Sequence, residues 1–431
     1  MDLPKIGIIS SKIKKGIRKV PSILNDALKA IFSFLRENPR RFIPLFIVAL
    51  AFILRIYYLN ELPNGLAKQE YLIVKRVLSI KTWSDLWLGI YFPQGIFIFL
   101  GALFSKVFGA KVIVFRLLTA TLGTLTVLFA YLFTKEWFTK EAGYFASFLL
   151  AVSSWHITLS RNIDPNILLP LFLLLLFYVT TFAFRTKKNF YFILSGFILG
   201  LGLYVNIAFV LSPFLFVPVG LYFYFKNKKF VTSYIRELTF AIDAAAITSV
   251  PYLVSFVRYH SDFLKPYTIK MFSYWFYNIG SIIQSLFSHG ETNYFYNLGF
   301  EPLVSPFVGI VLICAITFGL LNIRNRKQVF LLGWFLVFLL PGIFSKTTVI
   351  DKISGIIPVV FILAAVLITH LTRKWYTTFP FNKTARFTFT IILGLMFFLN
   401  FAYEYQKYFV ARANSLQVKS VYSLSNNLPL K

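Results

Sequence analysis

The chain alternates between long apolar runs and short polar or basic segments. A helix needs about 20 apolar residues to cross the hydrocarbon core of a bilayer, although about 16 or 17 can suffice. Runs of this kind fall at 42–60, 112–133, 142–160, 165–184, 190–206, 207–225, 238–257, 304–322, 328–344, 355–371 and 386–402. The pattern predicts an all-α polytopic membrane protein, a transmembrane helical bundle of about 11–12 spans.

The polar segments between the runs are basic and set the predicted orientation. The formal charge of +28 is spread over short clusters rather than along one soluble face, which favours the positive-inside rule over nucleic-acid binding. With eleven spans the amino terminus lies in the cytoplasm and the carboxy terminus outside, and the basic loops fall inside at 134–141, 185–189, 226–237, 323–327 and 372–385. We therefore expect a multi-pass protein of the cell (inner or plasma) membrane whose active face is extracytoplasmic.

Three regions follow from this topology. Residues 1–41 hold ten Lys or Arg against three acidic residues and are expected to lie on anionic lipid as a cytoplasmic amphipathic segment. Residues 42–402 form the transmembrane domain, with outer loops at 61–111 and 258–303, and residues 403–431 form an extracytoplasmic tail.

One further apolar run, at 91–109, is long enough to cross the membrane but would invert every later loop. We interpret it as a juxtamembrane or re-entrant helix in the first outer loop. The two halves of the chain show no similarity of hydropathy, which counts against an inverted-repeat transporter.

Composition adds two exclusions. Hydrophobic residues make up 58% of the chain and the mean hydropathy is +0.71, outside the range of a soluble domain. The single cysteine, Cys314, excludes a disulfide within the chain, and the four histidines lack any short ligand spacing. No metal site is therefore predicted.

Polar residues lie at the predicted outer ends of the spans. Because a charged side chain at membrane depth costs free energy, such residues indicate a functional site. They are Glu70, Asp85, His156, Arg161, Asp164, Asn166, Tyr204, Asn206, Arg258, Asp351 and Lys352. Cations bind phosphate, and carboxylates bind sugar hydroxyls or accept a proton, so the pattern indicates an anionic, hydroxyl-bearing ligand.

Several of these residues also have a simpler interpretation. Arg161 and Arg258, at the ends of spans, can snorkel to the interface. Asp164 can cap a helix, Tyr204 can belong to an aromatic belt, and His156 can be a packed interfacial histidine. The residues alone therefore predict a multi-span protein with an outward-facing polar site.

The order and spacing of several segments resemble a known family. Residues 42 to 370 resemble the bacterial dolichyl-phosphate-mannose–protein mannosyltransferase and aminoarabinose transferase group of the GT-C glycosyltransferases. The segments that carry the resemblance are "ILRIYYLNELPNGLAKQE", "YFPQGIFIFLGALFSKVFG", "FRLLTATLGTLTVLFAYLFTKEWF", "LLAVSSWHITLSR", "GLGLYVNIA" and "LGWFLVFLLPGIFS". The resemblance implies inverting transfer of a sugar from a polyprenyl-phosphate donor to a lipid, glycan or protein acceptor, with membrane lipid as a further partner.

The resemblance also implies roles for individual residues. Relatives carry an Asp-Glu pair where this chain has Gln69-Glu70, and Gln cannot take a proton from an acceptor near neutral pH. Glu70 is then the candidate base or acceptor-orienting group, with Asp85 as second carboxylate, although successive helical residues point about 100° apart. Phe92 stands where many relatives have a phosphate-binding Lys.

The remaining assignments concern the donor phosphate and the substrate. The candidate phosphate-binding residues are Arg161, Lys352 and Lys68, the last as a replacement for the cation missing at Phe92. The candidate substrate-binding residues are Gln69, His156, Asp164, Asn166, Tyr204, Asn206 and Arg258. No cofactor is implied, and a divalent cation and the oligomeric state stay open.

Two alternatives stay open beside an active transferase. The changes at Gln69 and Phe92 suit a degenerate relative that binds a lipid-linked sugar or a partner without chemistry. The other alternative is a transporter or polymerase of lipid-linked saccharides.

Overall fold

The computed structural model describes residues 39–82, 85, 94–226, 232–264, 267, 272–346 and 349–424. Within these residues the chain is almost entirely helical. The strand-like pairings in this part of the chain are two isolated bridges, Leu66 with Leu424 and Tyr267 with Ser345. The predicted all-α class is confirmed.

The helices follow the apolar runs closely. In chain order they are α1 (Pro39–Ile56), α2 (Lys68–Leu78), α3 (Gly95–Phe108), α4 (Val112–Trp137), α5 (Lys140–Val152), α6 (Ser154–Arg161), α7 (Leu168–Thr186), α8 (Asn189–Gly202), α9 (Ser212–Lys226), α10 (Ile235–Leu264), α11 (Phe272–Phe287), α12 (Pro306–Leu321), α13 (Arg326–Val337), α14 (Leu340–Ile343), α15 (Ile357–Thr378), α16 (Lys383–Tyr405) and α17 (Leu416–Val421). Short 3-10 helices cover Pro165–Ile167, Ile207–Leu211 and Ser354–Ile356, and a π-helical turn covers Gln406–Arg412.

Several helices are long and apolar enough to cross a membrane. In the described ranges these are Val112–Trp137, Pro165–Thr186, Ile235–Tyr259, Arg326–Ile343, Ser354–Thr378 and Lys383–Arg412, and the bent pair α5 and α6 forms a seventh candidate. Shorter apolar helices of 10–17 residues coincide with the other predicted runs. The protein is therefore a multi-pass membrane protein.

The first outer segment contains two short helices, α2 and α3. The 14 residues of α3 span about 21 Å, less than the roughly 30 Å of the hydrocarbon core. The juxtamembrane or re-entrant helix at 91–109 stays a prediction, since α8, on a predicted span, has the same length. Residues 86–93, with Phe92, lie outside the described part of the chain, as does most of the predicted amphipathic segment 1–41.

The region 258–303, predicted as a loop, is largely helical. Helix α10 continues to Leu264, and α11 covers Phe272–Phe287. Ile282 and Leu286, four residues apart in α11, are both buried. The aromatic residues of α11 hid this helical spacing in the sequence.

Helices α8 and α10 approach each other unusually closely. A Cβ atom on Gly196 would lie 1.9 Å from the carbonyl oxygen of Ala241, and one on Gly200 would lie 1.8 Å from Thr248 Oγ1. Small residues allow this approach, which is a common way to pack helices in lipid.

The span formed by α5 and α6 bends by 60° at Ser153. The carboxylate of Glu404 accepts a hydrogen bond of 2.9 Å from the backbone N–H of Ser154. The break therefore does not leave that buried donor unpaired. Helix α6 ends at Arg161 and leads into the turn that carries Asp164.

Candidate functional site

The turn between α6 and α7 holds the central carboxylate of the site. Asp164 precedes the 3-10 helix Pro165–Ile167, and its Oδ1 accepts a hydrogen bond of 2.9 Å from the backbone N–H of Asn166. Asp164 therefore caps the start of the next span, as the simpler interpretation of the sequence indicated.

The other carboxylate oxygen of Asp164 is buried. Asp164 is 3% exposed, and its Oδ2 is buried without a hydrogen bond from the described residues, although the hydroxyl group of Tyr296 lies beside the carboxyl group. Burial raises the pKa of Asp164 to about 6, and the negative charge of Asp351 adds to this effect. A carboxyl group with this pKa can exchange a proton near neutral pH.

Two amides and a phenol connect this turn to neighbouring elements. Asn206 Nδ2 donates to Asn166 Oδ1 at 2.9 Å, and Asn166 Nδ2 donates to the Tyr296 hydroxyl at 3.4 Å. Asn206 also caps its own 3-10 helix by accepting from the N–H of Ala208. The structure thus brings together Asp164, Asn166 and Asn206, which the sequence predicted as substrate-binding residues.

Tyr296 is a member of this group that the sequence analysis missed. Burial raises the pKa of Tyr296 well above its ordinary value, and the nearby charge of Asp164 raises it further. Its hydroxyl therefore stays protonated and can donate a hydrogen bond. The only signal in the sequence is the aromatic run "NYFYNLGF".

A partly exposed ion pair lies on another side of Asp164. Lys352 Nζ is 2.6 Å from Asp351 Oδ2, and the two side chains are 20% and 14% exposed. Glu291 holds the same segment by accepting a hydrogen bond of 2.8 Å from the N–H of Val349. Burial raises the pKa of Glu291, and the charge of Asp351 contributes.

Glu70, the predicted base, is fully buried and has partners for both oxygens. Its Oε1 accepts from the N–H of Ile163 at 2.8 Å, and its Oε2 accepts from the N–H of Ala67 at 3.0 Å. Arg116 Nη2 lies 3.5 Å from the same Oε2. Glu70 therefore joins the start of α2 to the Asp164 turn, and its catalytic role stays a prediction.

The other residues predicted in the first outer segment lie at the surface. Lys68 and Gln69 are exposed on the first turn of α2. Asp85 is half-buried, and its carboxylate accepts hydrogen bonds from the backbone N–H groups of Thr82 and Lys81, at 2.9 and 3.2 Å. These bonds, with that of Thr82 first, lower the pKa of Asp85.

Arg161, a predicted phosphate-binding residue, is fully buried against the last turn of α1 and the backbone that follows it. Its Nη1 donates to the carbonyl groups of Leu54 and Tyr57 at 2.9 and 2.7 Å, and its Nη2 donates to that of Leu62 at 2.7 Å. The guanidinium group also lies 5.3 Å from the ring centre of Tyr408. Arg161 therefore shapes the first outer segment, and a contact with phosphate stays a prediction.

The last three predicted residues are His156, Tyr204 and Arg258, and each has a different environment. His156 is buried, and its Nδ1 lies 2.7 Å from Arg55 Nη2. The Tyr204 hydroxyl donates to the carbonyl group of Thr248 at 2.8 Å, which joins the turn after α8 to α10. Arg258 is exposed on α10. Across the described ranges, no group of three His, Cys, Asp or Glu side chains is arranged to hold a metal ion.

The comparisons with known proteins agree with this architecture. The family model described as dolichyl-phosphate-mannose-protein mannosyltransferase matches residues 96–253, less than half of the chain. None of the curated protein sequences matches significantly.

Solved structures share the fold over most of the chain. The oligosaccharyltransferase AglB from Archaeoglobus fulgidus, in complex with an inhibitory peptide and a dolichol-phosphate, is similar with a TM-score of 0.57 and 13% identity. The match covers 86% of this chain and 56% of AglB, so this chain corresponds to just over half of that protein. ArnT from Cupriavidus metallidurans, bound to undecaprenyl phosphate, is similar with a TM-score of 0.54 and 14% identity, over 88% of this chain and 77% of ArnT.

These findings define the fold of the protein. The chain has the fold of the GT-C glycosyltransferases, polytopic helical proteins of the membrane, and the resemblance predicted from the sequence is confirmed.

Proposed function

We propose that this protein transfers a sugar from a polyprenyl-phosphate donor to an acceptor hydroxyl group, with Asp164 as the base. The observation that carries the proposal is the buried Asp164 carboxylate, whose Oδ2 accepts no hydrogen bond from the described residues. Its pKa of about 6 leaves it mostly ionised at pH 7 and still able to take a proton. Glu70 is less suited, because backbone N–H groups and Arg116 occupy both of its oxygens.

The reaction is a single displacement at the anomeric carbon. The acceptor oxygen forms a bond to this carbon while the bond to the phosphate oxygen breaks, which inverts the configuration. The acceptor proton passes to Asp164 Oδ2, and the polyprenyl phosphate leaves with the electron pair. The Tyr296 hydroxyl and the Asn166 amide are placed to bind sugar or acceptor hydroxyl groups.

The donor phosphate needs a cation, and Lys352 is the one we propose. It is partly exposed and paired with Asp351, so a phosphate could replace that carboxylate as its partner. Lys68 is exposed at the start of α2 and is a second candidate. The polyprenyl donor is proposed because the two similar structures hold dolichol-phosphate and undecaprenyl phosphate. We place this face of the bundle outside the cytoplasm, in accord with the basic loops at its other end.

One feature favours a second function, binding of a lipid-linked sugar without transfer. Gln69 is exposed at the position where relatives carry the acidic residue, and a carboxamide accepts no proton near neutral pH. Under this alternative, Gln69→Asp should create activity that the natural protein lacks.

Sugar transfer from radiolabelled polyprenyl-phosphate donors in proteoliposomes tests both functions. Asp164→Asn should lower kcat at least 100-fold, because the acceptor proton loses its destination. Asp243→Asn is the matched control, since Asp243 lies exposed on α10 and should leave the rate unchanged. Transfer by Asp164→Asn at the natural rate would reject Asp164 as the base. Transfer only after Gln69→Asp would support the binding protein.

A further inference from the structure

The segment that begins at the end of the π-helical turn after α16 folds back onto the candidate site. We call residues 412–424 the C-terminal clasp; it contains α17 and ends in the bridge with Leu66. The N–H of Leu66 donates to the carbonyl of Leu424 at 2.9 Å, and the N–H of Leu424 donates to the carbonyl of Leu66 at 3.2 Å. The clasp therefore holds the backbone two residues before α2, the helix that carries Gln69 and Glu70.

Gly65 shows how closely the clasp approaches. Its φ of +99° is in the region that favours glycine. A Cβ atom at this position would lie 2.0 Å from the carbonyl oxygen of Tyr422. A side chain here would push the clasp away from the first outer segment.

Tyr422 connects the clasp to the turn that contains Asp164. Its hydroxyl donates to Asn162 Oδ1 at 2.8 Å, and Tyr422 is fully enclosed, with 3% of its surface exposed. Its ring is stacked on that of Phe295, with the ring centres 6.0 Å apart. Asn162 accepts a further hydrogen bond at its carbonyl group, 2.9 Å from the N–H of Asp164.

The carbonyl group of Phe295 links the clasp to the turn that contains Asp164. It accepts hydrogen bonds from Asn162 Nδ2 at 2.8 Å and from Arg412 Nη2 at 2.9 Å. Phe295 directly precedes Tyr296, whose hydroxyl lies beside the Asp164 carboxyl group. The clasp thus contacts Asn162, which is close to Asp164 in the chain, and Phe295, which is next to Tyr296.

We propose that Tyr422 is a positioning residue for the transfer reaction, acting through Asn162 on the orientation of Asp164. The inference rests on the proposed function, because it assigns Tyr422 a share in that rate. Tyr422 is enclosed by the protein, so the role assigned to it is positioning and not contact with substrate. Its hydroxyl fixes the Asn162 side chain, which in turn fixes the backbone that presents Asp164 to Tyr296.

Steady-state kinetics of Tyr422→Phe test this role. The variant keeps the buried ring but leaves Asn162 Oδ1 without this donor, so Tm should fall modestly. At a temperature well below both Tm values, kcat should fall about 10-fold while KM for the donor stays close to natural. The matched control is Tyr403→Phe, which removes a hydroxyl that donates to Glu301 at 3.2 Å elsewhere in the same carboxy-terminal region. An unchanged kcat in Tyr422→Phe, or a loss that follows Tm alone, would overturn the proposal.

A double-mutant cycle separates positioning from general destabilisation. Asn162→Ala removes the partner of Tyr422, so the double variant with Tyr422→Phe should be no slower than Asn162→Ala alone. Independent effects would multiply instead, and such a result contradicts the proposed path.

A measurement without sugar transfer keeps this inference distinct from the proposed function. Hydrogen exchange at the amides of residues 162–167 should be faster in Tyr422→Phe than in the natural protein or Tyr403→Phe. In a Cys314→Ser background, Leu66→Cys with Leu424→Cys should form a disulfide, because directly opposed antiparallel residues lie within bridging distance. If the natural protein transfers no sugar, the proposed function fails and exchange still decides whether Tyr422 orders the turn. Equal exchange rates, or no cross-link, count against the clasp.

Discussion

The carboxylate of Glu70 accepts a hydrogen bond of 2.8 Å from the backbone N–H of Ile163, the residue next to Asp164. The acidic residue of the first outer segment therefore supports the turn that carries a different carboxylate. The same group also accepts from the N–H of Ala67 and pairs with Arg116. Glu70 thus acts on the site through the backbone.

Glu70→Gln should lower stability more than it lowers the chemical rate. Gln keeps the size of the side chain but loses the ion pair with Arg116, and loss of charged hydrogen bonds in a buried site costs about 1–3 kcal/mol. We expect a clear fall in Tm in detergent, with kcat at a permissive temperature well above that of Asp164→Asn. If Glu70→Gln abolishes transfer at an unchanged Tm, Glu70 is the base that the sequence predicted.

The raised pKa of Asp164 gives a pH dependence with a definite sign. The base must be ionised, so kcat/KM should rise with pH through about 6 and level off above it, measured with saturating acceptor. If kcat/KM stays constant between about pH 5 and about pH 7.5, Asp164 is not the base.

The same shift predicts that Asp164 costs stability. The folded pKa lies above the ordinary value of 3.8, so the folded state binds the proton more tightly and stability falls as pH rises from about 4 through about 6. Asp164→Asn should therefore raise Tm at pH 7, by an amount equivalent to at most about 3 kcal/mol. The difference in Tm between Asp164→Asn and the natural protein should shrink below about pH 4. A lower Tm of the variant at pH 7 would show that the Asp164 carboxylate does not cost stability.

Arg161→Lys should destabilise the protein strongly. A lysine cannot reach the carbonyl groups of Leu54, Tyr57 and Leu62 together, and each buried group left unpaired costs about 1–3 kcal/mol. Arg258→Lys, at an exposed position, is the control and should leave Tm unchanged. A rise in donor KM at an unchanged Tm would instead support the phosphate contact that the sequence predicted for Arg161.

Gly196→Ala should weaken the contact between α8 and α10. The added Cβ would lie 1.9 Å from the carbonyl oxygen of Ala241, so the helices must separate, and Tm should fall. Gly394→Ala in α16 is the matched control, because its Cβ would meet nothing within 4 Å. This control should keep or slightly raise Tm, since Ala favours a helix over Gly. Equal effects of the two substitutions would exclude close packing as the cause.

The sequence predicted the fold better than the site, for physical reasons. Hydrophobic runs report length and lipid contact directly, so the spans and the short helix α3 were predictable. Asp164, Asn166 and Asn206 were predicted as candidates because they are polar residues at the ends of spans. Their mutual contacts depend on which turns meet across the bundle, which no local pattern records.

Burial explains the differences at Glu70 and Arg161. Both residues have the charge expected of a catalytic or phosphate-binding group, and the sequence cannot show that backbone groups use that charge. Tyr296 was missed for the opposite reason. It is one aromatic residue among several in its run, and only its contact with the Asp164 turn distinguishes it.

The bond between Tyr422 and Asn162 has a consequence for how the protein is made. It joins residues 260 positions apart in the chain. At a synthesis rate of about 5–20 residues per second, Asn162 leaves the ribosome roughly 10 to 50 seconds before Tyr422. Most of the helices can enter the membrane during this interval while the face around Asp164 is still incomplete. The nascent protein therefore gains the contact between Tyr422 and Asn162 only after α16 has been synthesised.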